Sequence, residues 1–289
     1  MLSPKRLLST SDLRAKKALG QNFLTDLSTA MMIVEKSRLD PEAIVLEIGA
    51  GLGALTIPVA KTVRHVYAVE KDSNLVPVLE NQLNSSHITN VTILNQNILN
   101  LNLQELFEKS GEKFIVMGNL PYNISSQVLV YLIQNRHCVT QAILMFQKEL
   151  AERISASPGG KDYGRLSVML QYCASVKHLM EIKATVFFPR PKVDSSVIEV
   201  RFHDQLLFPA SDEKFLFDVI KAAFGKRRKT LKNALTQSQL SLKSQEVLTG
   251  LEISGIDPFR RAETLSVEEF VHLSNIFFLS KLRTTITHV

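Results

Sequence analysis

Gly118-Asn119-Leu120-Pro121-Tyr122 sets a side-chain amide, a free backbone carbonyl, a rigid prolyl ring and an aromatic face in one short stretch after an apolar run. The chemistry this set suits is group transfer to an exocyclic amine on a flat base, adenine N6 above all. That nitrogen is a poor nucleophile because its lone pair is delocalised into the ring. Two acceptors, the Asn119 oxygen and the Leu120 carbonyl, can take its hydrogens and favour the tetrahedral form in which the lone pair is free, so no general base is required. Pro121 stiffens the loop, and Tyr122 offers a ring on which an extruded base stacks. The competing interpretation is a plain Asn-Pro turn with a packed Tyr. The tetrapeptide alone serves DNA and RNA equally.

A second constellation must supply the group to be transferred. Val45-Leu46-Glu47-Ile48-Gly49-Ala50-Gly51-Leu52-Gly53 reads as a strand running into a glycine-rich turn and then a helix. Gly49 and Gly51 allow the tight turn and close approach of backbone to a ligand. The spacing also fits the dinucleotide pattern G-x-G-x-x-A, which keeps an NAD-dependent oxidoreductase as a rival. Glu70, about twenty residues on, would accept ribose hydroxyls in either case. Glu47 tips the balance to S-adenosylmethionine, because a carboxylate two residues before the first glycine can organise the turn facing a methionine ammonium. Asn97 follows the third strand, where this fold sets a residue against the cofactor's adenine; its neutral oxygen is a weaker acceptor than a carboxylate.

These residues need a scaffold, and the chain supplies an α/β one. Short β-branched runs at 43–48, 65–70, 91–94, 113–117 and 141–146 alternate with helical patterns, among them 73–83 and 125–133, the latter behind a Ser cap. Crossovers of that length favour parallel strands. Two further runs, 178–182 and 197–202, are joined by a stretch with two prolines that is too short for a helical crossover, so they are expected to pair antiparallel. The fold class is therefore a Rossmann-like, seven-stranded sheet with an antiparallel edge element. Past a polar stretch with Pro209 only helical periodicity remains, with Phe217, Ile220 and Phe224 as an apolar stripe. The expected domains are 1–206 and a small helical domain at 207–289.

The 289 residues, 45% hydrophobic and 21% charged, describe an ordinary globular protein. No run approaches the roughly eighteen apolar residues of a membrane span, and no secretory signal core is present, so a cytoplasmic location is expected. Cys138 and Cys173 are far apart and the histidines scattered, which predicts buried thiols and no metal. Net charge is +6, but residues 1–24 carry +4 and residues 219–245 carry +7, leaving −5 for the remainder. Lys226, Arg227, Arg228, Lys229 and Lys232 form the densest part, a footprint suited to a phosphate backbone.

Taken together, the motifs at 17–24, 119–125, 147–154, 163–168, 187–197 and 223–235 resemble the ribosomal RNA adenine dimethyltransferases, and within them the bacterial small-subunit branch. The resemblance spans most of the chain. It implies that Asn22 and Leu24 close over S-adenosylmethionine together with Gly49, Glu70, Asn97 and Asn119. It also implies that Phe187, first of the F-x-P-x-P-x-V-x-S pattern, stacks on the target adenine opposite Tyr122. Two adjacent adenosines near the 3′ end of small-subunit rRNA, each dimethylated late in subunit assembly by a monomer, are the implied substrate. Asn97 stands where the family has Asp. The large-subunit resistance enzymes share the catalytic motifs but differ in the helical domain, and a non-catalytic relative is opposed by the intact Asn119 to Tyr122 tetrapeptide.

Overall fold

The computed structural model describes residues 3–226 and 228–286. Its strands are β1 (Phe23–Leu24), β2 (Ile44–Ile48), β3 (His65–Glu70), β4 (Val91–Asn95), β5 (Phe114–Asn119), β6 (Val139–Gln147), β7 (Ala174–Ile182), β8 (Phe187–Phe188) and β9 (Ser195–Phe202). Its helices are α1 (Pro4–Thr10), α2 (Leu27–Ser37), α3 (Thr56–Ala60), α4 (Val76–Ser85), α5 (Leu103–Ser110), α6 (Ser125–Gln134), α7 (Lys148–Ser155), α8 (Arg165–Cys173), α9 (Glu213–Phe224), α10 (Leu231–Thr236), α11 (Ser244–Ile253) and α12 (Val267–Ile286).

Seven strands form one sheet in the order β4-β3-β2-β5-β6-β9-β7, and β1 pairs with β8 separately. From β4 to β6 neighbours are parallel; β9 runs antiparallel to β6, and β7 lies beyond β9 at the edge of the sheet. All of β2 and nearly all of β5 are buried, which explains why neither shows an alternating pattern and why β2 is apolar but for Glu47. Strand order reverses between β2 and β5, so the crevice beyond their carboxyl ends is where such a sheet binds ligands. Gly118 permits this neighbourhood: a Cβ there would sit 2.6 Å from the Ile48 carbonyl oxygen.

Several helices start on side-chain caps, and one expected cap does not form. Asp26 caps α2, Asn102 caps α5 and Asp212 caps α9, each accepting a backbone N–H at 2.7 to 3.2 Å. Ser125 does not cap α6. Its side chain is buried and donates to the Pro121 carbonyl at 3.1 Å, while Ile124 occupies the cap position.

The chain forms two compact units. One is built on the sheet, up to Ala151 and again over Ser175–Phe202; the other takes Glu152–Ala174 and the chain from His203 onward. The expected boundary at 206/207 falls close to the final crossing, but 152–174 belongs with the helices rather than with the sheet. The reason is aromatic packing: Tyr172 meets Phe217 edge-on at 5.9 Å and Tyr163 meets Phe224 at 6.3 Å. The buried stripe of α9 is accordingly Leu216, Val219, Ile220 and Ala223, while Phe217 and Phe224 turn toward those tyrosines. Cys138 and Cys173 are both buried. Among the described residues no helix is long and apolar enough to cross a membrane, and no three metal-binding side chains gather.

Candidate active site

An open cleft with about 1200 Å³ of unfilled space lies at the carboxyl ends of β2, β3, β4 and β5. Asn22, Leu24, Glu47, Gly49, Gly51, Glu70, Asn97 and Asn119 all line it, and so do Leu120 and Tyr122. Residues spread over a hundred positions of sequence are thus brought to one place.

The glycine turn is shaped by backbone. Gly49 and Gly51 have φ of +76° and +56°, values that L side chains rarely adopt. The Gly49 N–H donates to the Val69 carbonyl at 2.8 Å, and the Gly51 N–H donates to Glu70 Oε2 at 2.8 Å. Glu70 also accepts the Asp72 N–H on Oε1 at 2.7 Å. Both of its oxygens therefore brace the turn before any ligand arrives, each keeping a lone pair. Burial raises the Glu70 pKa above its ordinary value, and these backbone donors pull it back.

Glu47 is 2% exposed, and its Oε2 has no hydrogen-bond partner among the described residues. Burial raises its pKa to about 7; the Thr56 hydroxyl pulls it back without reaching hydrogen-bond geometry, and the charge of Glu70 raises it further. An orphaned carboxyl oxygen buried at the floor of a glycine turn is a fit for a cationic or donor group of a ligand.

A strap over residues 16–24 closes one side. Lys16 Nζ reaches Asp72 Oδ1 at 2.7 Å, and Gln21 Nε2 donates to Asp72 Oδ2 at 2.9 Å. Burial alone would raise the Asp72 pKa, but Lys16 and Gln21 outweigh it and hold the carboxyl below its ordinary value. Asn22 donates its side-chain N–H to the Gly20 carbonyl at 3.1 Å. Lys16, Gln21 and Asp72 were not legible as site residues. Lys16, counted in the basic N-terminal charge, has an internal partner.

Asn119 ends β5, and its side-chain N–H donates to the Asn22 carbonyl at 2.8 Å. That bond fixes the amide plane, and among the described residues no donor engages Asn119 Oδ1. The next residues repeat the pattern. The Leu120 N–H is held by the Met145 carbonyl at 3.3 Å, and the Pro121 carbonyl takes both the Ile124 N–H and the Ser125 hydroxyl. Between them the Leu120 carbonyl accepts nothing among the described residues. Two unengaged acceptors therefore sit at adjacent positions of a braced loop.

Tyr122 bonds through its hydroxyl to Ser195 at 3.0 Å, a contact between two motifs 73 residues apart. Burial raises its phenol pKa, with Ser195 pulling the other way, so the ring stays neutral and offers a face rather than a base. Phe187 is the exception among the sequence-predicted residues. It is 4% exposed, pairs with Leu24 in the β1–β8 ribbon, belongs to the core beside Met145 and Val197, and does not line the cleft.

Asn97 caps the turn over Ile98–Asn100, its Oδ1 accepting the Leu99 N–H at 3.2 Å. One lone pair remains for a ligand amine. Asn97→Asp is expected to tighten cofactor binding about fivefold, the difference of roughly 1 kcal/mol between neutral and charged acceptors. Titration calorimetry that shows equal affinities would remove Asn97 from the site.

In the second unit, Lys226 Nζ donates to Gln237 at 2.7 Å, Arg228 and Lys229 are exposed, and Lys232 is half-buried. Arg227 lies outside the described residues. No carboxylate among the described residues forms an ion pair with these lysines or with Arg228.

A family model described as ribosomal RNA adenine dimethylase matches residues 12–278, which takes in both units. The chain belongs to the ribosomal RNA adenine dimethylases. Among curated members, ribosomal RNA small subunit methyltransferase A of Desulforapulum autotrophicum is 54% identical over 275 residues, covering 95% of this chain and 96% of the relative. The protein of the same name from Bacillus cytotoxicus is 42% identical, with 93% of each chain covered. A dimethyladenosine transferase from Plasmodium falciparum superposes with a TM-score of 0.74 at 23% identity, over 87% of this chain and 95% of that one. The 23S rRNA methyltransferase ErmE gives 0.65 at 24% identity, over 89% and 99%. Both structural likenesses are of fold. With the family shown, the oxidoreductase reading of the glycine turn falls away.

Proposed function

We propose that this enzyme dimethylates N6 of two adjacent adenosines near the 3′ end of small-subunit rRNA, late in subunit assembly, as a cytoplasmic monomer using S-adenosylmethionine. The observation that carries this reading is the braced pair of acceptors: Asn119 Oδ1, oriented by its own N–H on the Asn22 carbonyl, and the Leu120 carbonyl. They accept the hydrogens of the target amine and hold its lone pair out of conjugation. Tyr122, steadied by Ser195, stacks on the extruded base. Phe187 serves as the second face once its ring leaves the core beside Leu24.

The residues of the cleft fit the cofactor. Glu47 faces its ammonium, Gly49 and Gly51 let backbone approach it, Glu70 accepts its ribose hydroxyls, and Asn97 meets its adenine. Asn22 and Leu24 cover it from the strap. When bound, S-adenosylmethionine supplies an electrophilic methyl group on a sulfonium centre. The 1–206 region carries this chemistry, and the helical region at 207–289 carries the RNA contact through Lys226, Arg227, Arg228, Lys229 and Lys232, with the small ribosomal subunit as partner.

The test is to incubate the protein with methyl-labelled cofactor and unmodified small subunits, then map dimethyladenosine. Label on two neighbouring adenosines near the 3′ end is expected. Cofactor binding without label on rRNA would replace this reading with that of a non-catalytic binding factor.

A further inference from the structure

Phe259 leaves 78% of its surface exposed, and of the chain's 15 phenylalanines it alone stands in an exposed position. It does not sit on a slack loop. Its N–H donates to Asp257 Oδ1 at 2.9 Å, and the Arg260 N–H donates to the Asp257 carbonyl at 3.1 Å. The Arg260 guanidinium grips both oxygens of Glu269 and donates to the Thr264 carbonyl at 2.7 Å. The loop is also bonded to the start of α10: the Leu231 N–H reaches the Arg260 carbonyl at 2.7 Å and the Lys232 N–H reaches the Pro258 carbonyl at 3.3 Å. Those two residues directly follow the turn that carries Arg228 and Lys229.

A flat ring is thus pinned in water beside a basic stretch. Arg261, its neighbour but one, is exposed, and among the described residues no carboxylate pairs with Arg228, Lys229, Lys232 or Arg261. Arg260, by contrast, is neutralised by Glu269, so it serves to hold the loop. An aromatic face flanked by unpaired cations is the arrangement that binds unpaired nucleotides, the ring taking the base and the cations the phosphates on either side. A lone exposed aromatic on a polar surface needs no special account; one immobilised among uncompensated cations does.

We propose that Phe259 is a stacking platform for an unpaired rRNA base, with Arg261, Arg228 and Lys229 holding the neighbouring phosphates. This rests on the reading of the protein as an RNA-binding enzyme and adds to it a contact by shape as well as by charge.

The experiment uses the full chain and end-labelled, deproteinised small-subunit rRNA, with binding read by fluorescence anisotropy across a salt series. Phe259→Leu keeps an apolar side chain but loses the flat face. It is expected to weaken binding between about fivefold and a hundredfold, with the salt slope unchanged, and Phe259→Trp to restore it. The double variant Arg228→Gln with Lys229→Gln is expected to weaken binding and to flatten the slope by about 1 to 2. If Phe259→Leu binds like the unaltered protein while the double variant loses affinity, the platform is overturned and the RNA reading stands. If neither changes, both are overturned. Weaker binding of Phe259→Leu to intact subunits but not to naked rRNA would mean that the ring meets a ribosomal protein, which also overturns base stacking.

Discussion

Asn119→Ala is expected to lower kcat for adenine methylation by about 10² to 10³, measured in single turnovers with labelled cofactor and unmodified small subunits. Removing one preorganised group aimed at the reacting atom costs this much where the group acts mainly in the transition state. In the proposed reaction Asn119 acts there, because the target amine needs its acceptors most as the nitrogen becomes tetrahedral. The same side chain also holds the strap through the Asn22 carbonyl at 2.8 Å, so cofactor Kd should rise by only about fivefold, the net worth of one hydrogen bond. The split between a large loss in kcat and a small loss in affinity is the signature. Asn119→Asp separates the two duties, since it keeps acceptors but cannot donate to Asn22: part of the rate should return while the affinity loss persists. A kcat within threefold of the unaltered enzyme for Asn119→Ala would show that the amine is held by other groups.

The legibility of this site followed the range of the interactions. The strands of the sheet, the glycine turn and the Asn119 to Tyr122 loop are local patterns, and each could be read from a window of sequence. That Glu47 and Asn119 would face one cleft was likewise visible, because both lie at the carboxyl ends of strands expected to be parallel. What escaped were partners distant in sequence. Asp72 binds Lys16 and Gln21 across more than fifty residues, and Tyr122 binds Ser195 across 73. No periodicity encodes such pairs. Phe187 is the instructive disagreement: the family resemblance implies a stacking residue, yet Phe187 is buried in the core beside the β1–β8 pairing. Ser125 has the residue type of a cap, but it falls inside the first turn of α6, where its hydroxyl donates to the Pro121 carbonyl. Residues 152–174 moved between units for a similar reason, since Tyr163 and Tyr172 pack edge-on against Phe224 and Phe217 of α9.

Glu47→Gln should stabilise the cofactor-free protein at alkaline pH and leave it unchanged in acid. The Glu47 pKa is raised from 4.5 to about 7, mainly by burial. A carboxyl that holds its proton more tightly in the folded state makes unfolding release that proton, so stability falls as pH rises between these two values and stays lowered above the upper one. The full penalty is on the order of 3 kcal/mol. Glutamine keeps the shape without the charge. The difference in melting temperature between the two proteins should therefore be near zero at pH 4.5 and reach roughly 5–10 °C at pH 8. Cofactor binding supplies the complementary reading. An ammonium placed beside Glu47 favours its ionised form, so binding near pH 6 should release a proton, detectable by calorimetry in buffers of different ionisation enthalpy. The variant should bind more weakly and release none. A melting difference that does not vary with pH would mean that Glu47 is ionised at little cost in the empty cleft. Proton release that survives in Glu47→Gln would assign the ammonium's partner elsewhere, with the buried Glu70 beside the same turn the first residue to examine.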